Sequence, residues 1–138
     1  RSGTRGDIRF RRSAVIGVGA DILKIARIDD VLARLGTRFV RRILTPQEQE
    51  EYYSNKQPAR FLAKRFAAKE AIAKSLGTGI GRGVSWQDIQ IEHDAHGAPS
   101  VRLLGGAKRV AGERGGLRVE LSLSDELDYV VAFAVLAK

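Results

Sequence analysis

The hydrophobic period of this chain changes near its middle. Ala14 to Val18 is a short, apolar, β-branched run that predicts a first strand. Ile22 to Leu35 then carries Ile25, Ile28, Val31, Leu32 and Leu35 at helical spacing, an amphipathic stripe that Gly36 ends or interrupts. Phe39, Val40, Ile43 and Leu44 add another helical turn or two. Thr45-Pro46-Gln47-Glu48 has the chemistry of a helix start: Thr45 caps, Pro46 suits the first helical position and Glu48 completes a capping box. That short helix is expected to end near Asn55. Pro58 opens the longest predicted helix, which runs to Leu76, with Gly77 placed to stop it.

Past the glycine-rich run from Gly77 to Gly83 the period falls to two. Asp88 to Glu92 and Ser100 to Leu104 alternate around the turn-forming residues Asp94 to Pro99, which predicts a hairpin. Ala107 to Glu113 reads as a short helix. Leu117 to Leu123 alternates cleanly, and Tyr129 to Leu136 is a nearly continuous apolar strand. There is no internal repeat and no domain linker. Helices early and strands late give an α+β class.

A length of 138 residues with 43% hydrophobic and 29% charged side chains suits one globular domain with a modest core. No segment reaches the run of about 18 apolar residues that a membrane span needs, and none has the order of a secretory signal. With no cysteine, disulfides and thiolate metal sites are excluded, and a cytoplasmic location is expected. The net charge of +8 is unevenly placed: residues 1–13 hold five Arg and one Asp, and the remainder contributes the other +4. Residues 1–13 are therefore expected to be a flexible basic arm or an added remnant outside a single domain over 14–138. The surplus charge of that domain favours an anionic partner. Acids interleaved through it, and the absence of any DNA- or RNA-binding signature, argue against nucleic acid.

Two carboxylates stand in mostly apolar company, where desolvation without compensation is costly. Asp21 closes Gly17-Val18-Gly19-Ala20-Asp21-Ile22, and Glu70 lies inside Phe61 to Ala71. At 100° per residue Glu70 sits about 40° from Phe66 around its helix, near the buried face. A shared cation would offset both charges, and magnesium commonly takes one or two protein carboxylates plus waters and substrate phosphates. Spacing taken alone favours an ordinary Glu70–Lys74 pair one turn apart, and Asp21 as a helix N-cap. The Gly17-Val18-Gly19 start lacks the third glycine of a dinucleotide fingerprint, because Ile22 stands there, and that fold is rejected. Gly77 to Gly83 lacks P-loop order and can be either a phosphate-facing turn or a connector. Arg27, Arg34, Arg38 and Arg41 are spaced to stack on one helical face. Arg60, Lys64, Arg65, Lys69 and Lys74 form a second basic band, flanking Glu70. His93 and His96 read as surface residues, and Ser122 and Ser124 lack a nucleophile-elbow context.

Taken together, Gly17 to Ile22, Arg65-Phe66-Ala67-Ala68-Lys69-Glu70-Ala71 and Lys74-Ser75-Leu76-Gly77-Thr78-Gly79-Ile80 resemble the holo-acyl-carrier-protein synthases, the short branch of the 4′-phosphopantetheinyl transferase superfamily. The resemblance covers residues 14 to 138. It implies helices, one of them long, packed on a mainly antiparallel sheet, and transfer of 4′-phosphopantetheine from coenzyme A to a serine of an apo-acyl carrier protein. By the same likeness Asp21 and Glu70 hold Mg2+, and Glu70 or a metal-bound water takes the serine proton. Phe61, Arg65, Lys74, Gly77 and Thr78 are implied to contact coenzyme A, with Lys74 also counted among the catalytic groups. Arg27, Arg34 and Arg38 are implied to dock an acidic carrier protein of fatty-acid or polyketide type. A homotrimer with shared sites is implied as well. One departure stands out: many relatives read Ser-Leu-Ser-His where this chain has Ser122-Leu123-Ser124-Asp125.

Overall fold

In a computed structural model of the protein, residues 14–138 are described; the predicted basic arm, 1–13, lies outside them. The first strand, β1 (Val15–Lys24), leads into α1 (Ile25–Leu35) and α2 (Thr37–Ile43), then α3 (Pro46–Ser54) and the long α4 (Pro58–Ser75). A short 3₁₀ turn, Trp86–Asp88, precedes the hairpin β2 (Ile89–His93) and β3 (Pro99–Leu103). Helix α5 (Gly105–Glu113) and the pair β4 (Arg118–Asp125) and β5 (Tyr129–Ala137) complete the chain. Strand β5 is central, hydrogen-bonded antiparallel to β1 on one side and β4 on the other.

Helix α4 has Pro at its first position and six alanines along its length, and it buries Leu62, Ala63, Ala67, Ala68, Ala71, Ile72 and Ala73. These small side chains let it lie across β1 and β5 at short range. The sheet meets it with Gly19, Leu23, Val130, Ala132, Ala134 and Leu136, all buried. The opposite face of the same strands is open: Val18, Ile22, Tyr129, Val131 and Phe133 are 56%, 66%, 43%, 42% and 46% exposed. An exposed apolar patch of that kind is a candidate contact surface.

Two expectations change. The first strand does not end at Val18; it continues to Lys24, because every residue from Gly17 to Lys24 finds a partner on β5, Asp21 lying opposite Ala132. Asp21 is therefore a strand residue and not a helix cap, and the N-cap of α1 is Lys24. The arginine stripe is also not on one helix. Gly36, at φ +59°, breaks it, leaving Arg27 and Arg34 on α1 and Arg38 and Arg41 on α2. The capping box of Thr45 and Glu48 forms as predicted.

Candidate active site

Two glycines bring β1 onto the last turns of α4. A Cβ at Gly17 would stand 2.1 Å from the Ser75 carbonyl oxygen, and one at Gly19 would stand 2.1 Å from that of Ala71. The motif that superficially suggests a dinucleotide turn is instead a close strand–helix approach. Two residues beyond Gly19, Asp21 arrives beside the helix turn that carries Glu70 and Lys74. Lys74 Nζ donates to Ala20 O at 2.9 Å and to Asp21 Oδ1 at 3.3 Å. The sequence-level alternative, a Glu70–Lys74 pair, is not among the ion pairs of the described residues; Lys74 reaches across to the strand.

Asp21 and Glu70 line one cleft of about 300 Å³, together with Arg27, Phe66 and Phe39. Burial holds the Glu70 carboxyl above its usual range; the Asp21 charge pushes in the same direction, and Lys74 only partly opposes them. Two carboxylates facing one space, one of them disfavoured as an anion, make a donor set that a hard divalent cation relieves. Among the described residues no group of three or more His, Cys, Asp or Glu side chains forms a self-sufficient metal site. Any ion here would complete its shell from water or a ligand, the habit of magnesium rather than of structural zinc.

The predicted basic band divides. Arg65 and Lys69 lie one turn apart on the face of α4 turned to α3, not on the face carrying Phe66 and Glu70. Both are buried, and both turn to Glu48, itself fully buried. Lys69 Nζ donates to Glu48 Oε1 at 2.6 Å, to Ile43 O at 2.7 Å and to Trp86 O at 3.2 Å. Glu48 also accepts from Thr45 N at 2.9 Å and Ile91 N at 2.8 Å. Arg65 Nε stands 3.6 Å from Glu48 Oε2 and Nη2 stands 3.3 Å from Glu51 Oε1. Burial lowers the pKa of both cations, Glu48 pulling each back up. These two side chains are thus a buried clamp and not freely available phosphate ligands.

Phe61 and Arg65 line a second cavity, of about 550 Å³, where the Arg65 guanidinium lies 4.5 Å over the Phe61 ring. Arg60, Lys64 and Asp125 share its wall, as does His93, which is exposed as its sequence context predicts. The first cavity and this one have no lining residue in common. Gly77 and Thr78 follow the end of α4; Arg114 Nη1 donates to Ser75 O at 3.3 Å and lies against Gly77. Arg34 and Arg38 are exposed, and Arg38 flanks a groove of about 280 Å³ with Leu35, Phe39 and Arg42. Glu48, Arg42 and Arg114 were not singled out from sequence as site-building groups. Only Glu48 carried a signal, its capping box.

A strand–helix junction presenting paired carboxylates, on a central antiparallel sheet with one long packed helix, defines a recognisable class. The family model of the 4′-phosphopantetheinyl transferase superfamily matches residues 17–134, and the chain belongs to that superfamily. A holo-[acyl-carrier-protein] synthase of Shewanella frigidimarina is 54% identical over 123 residues, covering 89% of this chain and 98% of that protein. Among solved structures, the holo-[acyl-carrier-protein] synthase from Neisseria meningitidis superposes with a TM-score of 0.85 at 45% identity, covering 90% of this chain and 99% of that one. The holo-(acyl-carrier-protein) synthase from Bacillus anthracis, in complex with CoA (3′,5′-ADP), gives 0.76 at 34% identity, covering 91% and 99%.

Proposed function

We propose that this chain is a holo-acyl-carrier-protein synthase, acting through a single domain over residues 14–138. It moves the 4′-phosphopantetheine group of coenzyme A to a serine hydroxyl of an acidic apo-acyl carrier protein in the cytoplasm. The products are holo-acyl carrier protein and adenosine 3′,5′-bisphosphate. The observation that carries the reading is the convergence of Asp21, from β1, and Glu70, from α4, on one cleft. The relative from Bacillus anthracis, solved with CoA, supports the donor.

The serine oxygen attacks the β-phosphorus of coenzyme A; the bond from that phosphorus to the bisphosphate oxygen breaks, and the serine proton departs. Asp21 and Glu70 are the residues that would hold Mg2+, which when bound withdraws charge from the pyrophosphate and steadies the leaving group. Glu70 is the chain's own acceptor for the serine proton. Lys74, fixed on Asp21 and on the Ala20 carbonyl, orients the carboxylate and adds positive charge at the same rim. Gly77 and Thr78 stand at the end of α4 as contacts for the phosphates of coenzyme A, and Phe61, backed by the buried Arg65 guanidinium over its ring, as a contact for its nucleotide. Placement and charge neutralisation supply most of the acceleration in such transfers.

Arg27, Arg34 and Arg38 form the docking surface for the carrier protein, with the groove between Arg38 and Arg42 offering Leu35 and Phe39 to an apolar side chain. The open apolar face of the sheet supports a homotrimer, and the separation of the carboxylate cleft from the Phe61 cavity fits a site completed by a neighbouring copy.

Incubating an apo-acyl carrier protein with coenzyme A, magnesium and this protein should add about 340 Da to the carrier, read by intact-mass spectrometry. An unmodified carrier, with the protein shown to be folded, refutes the assignment. Light scattering should return about three times 15.1 kDa, and a monomer would refute the trimer.

A further inference from the structure

The departure at the end of β4 has a geometry of its own. Asp125 Oδ2 accepts from Arg60 Nη1 at 2.8 Å, and Asp125 Oδ1 lies 3.7 Å from Lys64 Nζ. Arg60 is fixed by the hairpin turn between β4 and β5: Nη1 also donates to Glu126 O at 2.7 Å and Nη2 to Leu127 O at 2.8 Å. A guanidinium has five N–H donors, so this one keeps two for another partner. All three side chains remain accessible, Arg60 25%, Asp125 28% and Lys64 37% exposed, on the wall of the 550 Å³ cavity that also holds Phe61.

That cavity is lined by four cations, Lys56, Arg60, Lys64 and Arg65, and two acids, Glu51 and Asp125. Arg65 is buried against Glu48 and Glu51 and offers little to an incoming anion. Three accessible cations remain, and Asp125 already sits on two of them. A bound ligand that brings a phosphomonoester, near −2 at neutral pH, would share Arg60 and Lys64 with a like-charged neighbour.

We infer that Asp125 is an internal counter-ion that loosens this enzyme's grip on the phosphomonoester of its nucleotide. The inference rests on the coenzyme A reading above. Coenzyme A carries one phosphomonoester, on the ribose, and that group leaves unchanged on the bisphosphate product. A carboxylate that weakens its hold therefore weakens donor and product alike, and speeds departure of the product. Replacing Asp125 with asparagine keeps an acceptor for Arg60 Nη1 and removes the charge, which separates electrostatics from the turn's geometry.

Binding is measured by calorimetry on the full chain, in one magnesium-containing buffer, with coenzyme A and with 3′-dephospho-coenzyme A. In Asp125→Asn the Kd for coenzyme A should fall roughly three- to tenfold, the scale of one partly exposed charge interaction. The Kd for the dephospho compound should stay within about twofold, and the inhibition constant of adenosine 3′,5′-bisphosphate should fall with that of coenzyme A. Adding Arg60→Gln should erase the gain. Asp125→Ala, which also removes the charge, serves if the asparagine variant melts abnormally. An unchanged or raised Kd for coenzyme A in both variants, or an equal gain for the dephospho compound, overturns the inference alone. If the unmodified protein binds neither compound, the coenzyme A reading is lost and this inference with it.

Discussion

Replacing Glu48 with glutamine changes one atom group and no volume, yet it should be among the most damaging single substitutions in the chain. The carboxylate is fully buried and answers two buried cations, Lys69 and Arg65, while accepting backbone donors from Thr45 and Ile91. Glutamine leaves one of its two terminal groups a donor, turned toward groups that are themselves donors. It also strips the only full negative charge that Lys69 contacts within bonding distance among the described residues. Breaking a buried pair in this way costs about 3–5 kcal/mol, against a total stability of about 5–15 kcal/mol for a domain of this kind. The exposed Arg118–Glu120 pair, at 2.8 Å with both side chains more than half exposed, is the internal control. Glu120→Gln should cost less than about 1 kcal/mol. Urea unfolding followed by circular dichroism, at one protein concentration, compares the two; the Glu48 variant should also melt roughly 10–20 °C lower. A Glu48→Gln loss no larger than that of Glu120→Gln would refute the reasoning, and with it the view that this clamp fixes α4 against α3 and the β2 hairpin.

Other outcomes follow from the same geometry. Gly19→Ala should lower stability by about 1–3 kcal/mol, because its methyl would meet the Ala71 carbonyl; an unchanged melting temperature would refute that close approach of β1 to α4. Glu70 has a folded-state pKa raised above its unfolded value, so its contribution favours folding at low pH and is lost as pH rises through the folded pKa. Glu70→Gln should therefore be more stable than the parent at pH 7 without divalent ions, with the gap closing toward pH 4; a gap that does not depend on pH would contradict this. Asp21→Ala and Glu70→Ala should each abolish carrier modification while the circular dichroism spectrum is retained, and near-normal turnover in both would remove their metal role. Arg34→Glu with Arg38→Glu should raise KM for the carrier protein far more than for coenzyme A; equal increases would count against a docking surface there.

Local chemistry made much of this architecture legible. The capping box at Thr45, the length of α4, the hairpin and the final apolar strand follow from spacing and turn residues, and the structure has them at those places. The strand at β1 was legible only as far as Val18. Residues Gly19 to Lys24 become strand by pairing with β5 more than a hundred residues away, a partner that no local pattern announces. The same distance explains the site. Glu70 could be placed near the buried face of its helix by angle alone, but spacing offers Lys74 only Glu70 as a local partner, whereas its bond goes to Asp21 on the neighbouring strand. Arg65 and Lys69 read as members of a basic band beside Glu70 because their counter-charge, Glu48, lies in another helix and is accounted for, in sequence, by capping. Asp125 could be recognised as unusual from its motif; its hold on Arg60 and Lys64 needed the fold.

The uncovered side of the sheet makes dilution itself an experimental variable. A lone chain at nanomolar concentration keeps Val18, Ile22, Tyr129, Val131 and Phe133 in water, whereas crowded chains can shield one another there. If the proposed trimer forms through that face, turnover per molecule should fall as the enzyme stock is thinned, and rates gathered at different dosages would belong to different populations.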